Sequence, residues 1–466
     1  MNIAGALRRG MIVPGIAAAL LVLAAPAAAA ADGAADAKQI LKKSIGFRTV
    51  KGEGQVAPYA AYLASVLKAA GFAEADVEIA PVGDTATLMA RYRGSDPKLK
   101  PIVLLGHMDV VEAKAADWER DPFTAVEENG YIFGRGSEDN KFDVSMIVAT
   151  LARLKSEGYK PRRGIVLALS GGEETDWIST RQLADALKGA ELVLNGDAGG
   201  GILGEKGEPI LYRLQAGEKT YADFVLEVTD PGGHSSAPTA SNAIYRLAHA
   251  LDRIGSYKFR PMANELTKAS LRAASRRVGG ELGAAMTRFA ADPGDAAAAE
   301  LISSKPEYIG QIRTTCVATM VNAGHARNAL PQRATANVNC RIYPGVQIDT
   351  VKQELTRVIA DPAVKIGLSD EDNPFADASP LRPDVMKAVT KAVKARYSGL
   401  DVTPSMSAGA TDSLIFRAAG IPSYGVSGLF QRSEDNFAHG LNERVPVSQI
   451  APALMHWRTI VTELTR

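Results

Sequence analysis

Uninterrupted apolar runs alternate along the first half of the chain with stretches in which apolar residues recur at helical spacing. Ile102-Val103-Leu104-Leu105, closed by Gly106, is the clearest run, and it reads as a strand buried on both faces, as in a parallel sheet. Ile165–Ser170 repeats the pattern, and Val193-Leu194-Asn195-Gly196-Asp197 repeats it with a carboxylate at its end. Further strands are expected at Val77–Ile79 and Ala86–Tyr92. Helical spacing marks Ala37–Ile45, Val56–Ala70 with Gly71 as its stop, and a segment from about Asp143 to Glu157. Strands alternating with helices predict an α/β fold, a mainly parallel sheet with helices on both faces.

The texture changes near Thr220. Tyr221–Val228 alternates as a strand with one buried face, Asn242–Ile254 is an amphipathic helix, and Asn264–Ser304 is Ala-rich, helical and insertion-like. Two β-type runs follow, Thr314–Val321 and Ala334–Ile342, before α/β character returns from about Val351. The expected organisation is a larger domain built from residues 32–219 and 346–466, with a smaller α+β domain inserted at 220–345.

The 466 residues, 46% hydrophobic and 23% charged, are ample for a sizeable core. Residues 1–31 stand apart. Arg8 and Arg9 precede an apolar run from Met11 to Ala24, and an Ala-rich stretch ends at Ala31, the layout of a secretory signal peptide cleaved near Ala30 or Ala31. A secreted, periplasmic protein with no stable membrane insertion after cleavage is expected, because the apolar part is short for a span of about 20 residues. With 53 basic against 52 acidic residues, nothing marks nucleic acid or an anionic membrane as a partner. Cys316 and Cys340 lie on the two β-type runs, and two readings stand: a disulfide in an oxidising compartment, or two buried free thiols.

Polar residues collect where the apolar runs end. His107 and Asp109 follow the 102–105 strand, Glu173 and Glu174 follow Gly171-Gly172 after the 165–170 strand, and Asp197 closes the third. A glycine-bracketed loop, Gly134 to Lys141, carries Asp139, and Phe437-Ala438-His439-Gly440-Leu441-Asn442-Glu443 lies near the carboxyl terminus. Carboxyl ends of parallel strands share the edge where ligands bind, and carboxylates gathered there repel unless cations lie between them. Each fragment alone is ordinary: a structural histidine, a solvated acidic turn, a helix cap. Their joint order is not.

GHMDVV, W-x-x-DPF at Trp118 to Phe123, GRGSEDNK, GGEE, the later Asp197, GGHSSAP at Gly232 to Pro238, and AHGLNE span nearly all of the mature chain. On these motifs the chain resembles the two-zinc exopeptidases that include glutamate carboxypeptidase, aminoacylase, the diaminopimelate desuccinylases and yeast vacuolar carboxypeptidase. The GGHSSAP form and the long helical stretch look most similar to the vacuolar branch. The resemblance implies two divalent metal ions, zinc by ligand type with cobalt or manganese able to substitute. His107 and Asp197 would bind one, Glu174 and His439 the other, and Asp139 both. Asp109 would orient His107, and Glu173 would be the general base. The inserted domain would serve as lid and dimerisation module, with His234 reaching the partner subunit's site to bind the oxyanion of the substrate in a homodimer. Arg341 and Asn328 would hold the substrate's free carboxylate.

The implied reaction is hydrolysis of a peptide bond beside a free C-terminal carboxylate, by a carboxypeptidase or dipeptidase acting on small peptides. The alternative is an N-acyl-amino-acid amidohydrolase using the same site. From another class, a non-catalytic periplasmic binder of peptides or amino acids is disfavoured by Glu173, which such a protein does not need. Gly409-Ala410-Thr411-Asp412 resembles a loop lining the site, without an assigned role. His249, His325 and His456 match no motif and read as structural or surface residues.

Overall fold

A computed structural model describes residues 24–369 and 374–466, with side chains from residue 33 onward. The expected leader, residues 1–31, lies outside the described residues except for 24–31, whose backbone opens the helix Ala24–Ile45.

The apolar run at 102–105 forms the strand Ile102–His107, buried at every position. It lies between Ile165–Ser170 and Leu192–Asn195 and is parallel to both, and Ser423–Gly425 adds parallel to 192–195. The helices Lys141–Ser156 and Ile178–Ala186 make the crossovers. Uninterrupted apolarity is required because the strand serves two cores. Ile102 and Leu104 join residues of the helices 24–45, 56–69, 141–156, 383–396 and 450–464, whereas Val103 and Leu105 join residues of 178–186 and 412–418 on the other face. Antiparallel strands Thr85–Tyr92 and Val77–Val82 widen this ten-stranded sheet on one side. Pro209–Glu218, Gly200–Leu203, Phe430–Arg432 and Val402–Ser407 widen it on the other.

A separate four-stranded antiparallel sheet has the order Thr315–Ala323, Arg333–Ile342, Thr220–Thr229, Lys365–Leu368. Its buried positions alternate strictly, so Phe224, Leu226, Ala336 and Val338 face the helices Ala243–Ser256 and Ile348–Ile359. Asn242 caps the first of these, accepting from the backbone N–H groups of Ile244 and Tyr245. Asp223, Asn339 and Arg341 take the opposite, half-buried face.

Two expectations about the smaller unit need correction. Its boundary does not fall at 345, because Val351, Leu355 and Ile359 fill the core of this sheet and Lys365–Leu368 is one of its strands. The helical stretch also divides into Glu265–Val278, Gly280–Ala291, Ala296–Ser303 and Pro306–Ile312 and does not join the small sheet. Those helices have their own core around Phe289 and Ile302, and the first packs on Val402–Ser407 of the large sheet, with Leu266 entering the large core.

Cys316 and Cys340, which the sequence left open, are directly opposed in register on adjacent strands and form a disulfide.

Candidate active site

Six side chains converge at the carboxyl edge of the parallel strands. His107 is the last residue of its strand, and Asp197 stands two residues beyond Leu192–Asn195, where Gly196 N–H donates to the Leu105 carbonyl at 2.9 Å. Glu173 and Glu174 leave the Gly171-Gly172 turn, and Asp139 precedes the helix Lys141–Ser156. His439 comes from a loop and adopts φ 62°, a left-handed conformation costly for a residue with a Cβ.

Asp139 sits between the two imidazoles. Its Oδ1 is 2.8 Å from His107 Nε2, and its Oδ2 is 3.2 Å from His439 Nε2. Asp197 Oδ1 lies 3.4 Å from His107 Nε2, and Glu174 Oε1 lies 3.0 Å from His439 Nε2. The five groups therefore fall into two sets that share one carboxylate. Among the described residues, His107, Asp139 and Glu174 offer ligand atoms all within 4.8 Å of one another. Imidazole nitrogen with carboxylate oxygen is a donor set that fits zinc or a similar divalent ion.

The supports come from distant segments. His107 Nδ1 is 3.0 Å from the backbone carbonyl of Asp109, which orients the ring. The Asp109 carboxylate lies farther, at 3.6 Å, and accepts the backbone N–H groups of Glu173 (3.2 Å) and Glu174 (3.0 Å). Asp109 thus couples the His107 ring to the turn that carries both glutamates. Glu443, buried, accepts backbone N–H bonds from Gly136, Glu138 and Asp139 and pairs with Arg135 at 2.6 Å, holding the whole Asp139 loop. Asp412 is buried beneath the site, accepting from Ser170 and Thr180. Glu443 ends the AHGLNE motif, but nothing local in the sequence reveals its partners.

The electrostatics are those of crowded acids. Burial pushes Asp139 upward, but hydrogen bonds from His107 and His439 outweigh it and hold that carboxyl below the usual carboxylate range. Burial lifts Asp197 to about 8 and Glu173 well above the ordinary glutamate value. Bonds to Asp139 and Glu174 raise His439 to about 10. Two imidazoles do not neutralise this many carboxylates, so cations at the shared edge lower the energy of the ionised site.

Asp139, Glu173, Glu174, Asp197 and His439 border one cavity of about 730 Å³. Arg341 enters it from the small sheet, with its guanidinium 4.7 Å over the Tyr221 ring and donating to the Ala408 carbonyl at 2.9 Å. Strand parity puts it there: Cys340 and Ile342 point into the core, and Arg341 faces the cleft. Ala410 and Thr411, of the loop without an assigned role, border the same cavity. His234 and Asn328 lie elsewhere. His234 is exposed on the two-residue strand Gly233–His234, paired with Ala329–Leu330, and Ser235 N–H donates to the Asn328 carbonyl at 3.0 Å. Neither borders the cavity of its own chain's cluster.

The description "Peptidase family M20/M25/M40" matches residues 103–463. The N-fatty-acyl-amino acid synthase/hydrolase PM20D1 of Mus musculus is 29% identical over 368 residues, covering 76% of this chain and 72% of its own length. The probable carboxypeptidase S-like 2 of Dictyostelium discoideum is 28% identical over 386 residues, covering 78% and 71%. Among solved structures, the M20 family metallo-carboxypeptidase Sso-CP2 from Sulfolobus solfataricus aligns with a TM-score of 0.68 at 19% identity, over 92% of this chain and 98% of its own.

Proposed function

We propose, on the premise that this chain belongs to peptidase family M20/M25/M40, that it is a metal-dependent exopeptidase cleaving the peptide bond next to a free C-terminal carboxylate. The observation that carries this reading is Asp139, one oxygen toward His107 and the other toward His439, in a cavity that also holds Glu173 and Arg341. His107 with Asp197 would hold one ion, Glu174 with His439 the other, and Asp139 would serve both. Two divalent cations held there would supply Lewis acidity and a water pKa lowered to near neutral. Zinc suits the ligands, with cobalt or manganese as substitutes.

Glu173 borders the cavity and has no place among the ligand contacts, and its raised affinity for a proton suits a group that takes one from the attacking water and returns it to the leaving amine. Arg341 offers a planar fork to the substrate carboxylate, already oriented by Tyr221 and Ala408. The same site serves an N-acyl amino acid equally well, and the relative named for N-fatty-acyl amino acids favours that as the second reading.

The active form is a homodimer in this reading. Strand Thr315–Ala323 ends the small sheet with a free edge and exposes Val317, Met320 and Val321, and His234 stands exposed, able to act in a partner's site. Asn328, bonded into the same ribbon, would go with it. Export to the periplasm accords with the leader pattern and the Cys316–Cys340 disulfide. No helix among the described residues is long and apolar enough to cross a membrane.

A mass-spectrometric screen of the zinc-loaded protein against blocked and free dipeptides and N-acyl amino acids tests the reading and ranks the two substrate classes. Hydrolysis is expected to vanish on chelation and return with zinc or cobalt. Hydrolysis that survives full demetallation, or tight peptide binding without cleavage, overturns it.

A further inference from the structure

A second cavity, of about 470 Å³, adjoins the one that holds Arg341, and Asp197 and Thr411 border both. Its walls come from the strand Pro209–Glu218 and from the helices Glu265–Val278 and Pro306–Ile312, the helical run that packs on the large sheet. Arg213 borders it from the strand, where neighbouring Tyr212 and Leu214 are buried in the core, and Arg277 borders it from the first helix. Next to Asp197, the wall is Ala198 and Gly199. A Cβ on Gly199 would lie 2.4 Å from the Gly425 carbonyl oxygen, so no larger side chain screens Asp197 from Arg213 there.

Neither guanidinium has an ion-pair partner among the described residues, and the charge that Arg213 feels is Arg277. Both side chains are exposed to solvent. Of the carboxylates on this cavity, Asp197 is engaged with His107, and Glu307 on the last helix forms no ion pair. Gln311 adds a buried side-chain oxygen with no partner, and its amide can present either a donor or an acceptor to whatever fills the space. Two like charges that border one open cavity are stabilised by an anion between them.

We propose that Arg213 and Arg277 form a specificity site for an anionic group on the acyl side of the substrate. Arg341 takes the carboxylate beside the scissile nitrogen, and the pair takes a second one across Asp197. This inference rests on the exopeptidase reading and narrows it to doubly anionic substrates. Two sources offer that chemistry: the side chain of an acidic N-terminal residue, and the far carboxylate of a dicarboxylic acyl group.

The test uses the full zinc-loaded protein and two matched pairs: Glu-Ala against Gln-Ala, and N-succinylalanine against its amide-terminated counterpart. The expected result is a kcat/KM about 10-fold or more higher for the acidic member of at least one pair, which also identifies the source. Arg213→Gln should lower kcat/KM for that acidic member about 10-fold more than for its neutral partner. Arg277→Gln, on the helix surface, should reduce the same ratio without touching the sheet. Equal turnover of acidic and neutral members, or equal loss of both in Arg213→Gln and Arg277→Gln, overturns the subsite while leaving the exopeptidase reading intact. No hydrolysis of any of the four compounds overturns the subsite, while hydrolysis of other substrates in the wider screen keeps the exopeptidase reading.

Discussion

Glu173 and Glu174 are neighbours in sequence with different work. Glu174 is bonded to His439, whereas Glu173 borders the cavity with its carboxyl pushed toward the protonated form by burial. Glu173→Gln should therefore lower kcat by about 10² to 10⁴ with metal content unchanged, read by steady-state kinetics beside metal analysis of the same sample. Turnover within a few-fold of wild type would move the proton transfer to another group. His456, left as structural or surface, proves structural: it is fully enclosed, with Nε2 against the Tyr212 hydroxyl and the Val426 carbonyl, both at 3.1 Å. Burial lowers it from 6.5 to about 4, so the folded state holds the neutral ring. Its contribution is complete above pH 6.5 and is lost as pH falls toward 4, because the unfolded chain binds the proton first; the full loss is about 3 kcal/mol. Denaturant melts of wild type and His456→Asn at pH 7 and 4.5 should differ in slope with pH, and parallel slopes would remove His456 from the acid sensitivity. The five residues that pair with one another at the carboxyl edge were legible because each belongs to a local motif. Glu443 was not, because its partners Arg135 and Asp139 lie some three hundred residues away.

At the level of elements, parity and period carried well. The alternation in Tyr221–Val228 and Ala334–Ile342 assigns one face to the core, and with it the cleft-facing position of Arg341 follows. The loop from Gly134 to Asn140 is different, since it has no period of its own and takes its shape from Glu443. Glu443→Gln should leave Arg135, 3% exposed, without a counter-charge and cost about 3–5 kcal/mol. Because the same carboxylate binds the Asp139 N–H, zinc affinity should fall about 10- to 100-fold in a competition titration. Wild-type stability and wild-type affinity together would mean that the loop holds itself. The 264–304 stretch shows the limit of periodicity. Its helices were visible, but the sheet they lie on was not, because an amphipathic stripe announces that it must be buried without naming its partner.

For the whole molecule, the proposed dimer makes a sharp prediction. Val321→Asp, at a position 61% exposed on the free edge, should shift sedimentation from dimer to monomer and lower activity together. Mixing His234→Ala subunits with Glu173→Gln subunits should restore about a quarter of wild-type turnover if His234 acts across the interface, since half of randomly formed dimers then hold one complete site. No restoration would confine His234 to its own chain or to a structural task. By itself, the sequence determined the parallel strands, the one-sided strands of the smaller sheet and which polar residues stand at the ends of the apolar runs. These depend on burial pattern and short spacing, which neighbouring residues record. Only the tertiary structure decided that the smaller unit runs past 345, that Cys316 meets Cys340, that Glu443 holds the Asp139 loop, and that Arg213 and Arg277 border one cavity. Each of those depends on how segments far apart in the chain are brought into register, and no local pattern of side chains encodes that distance.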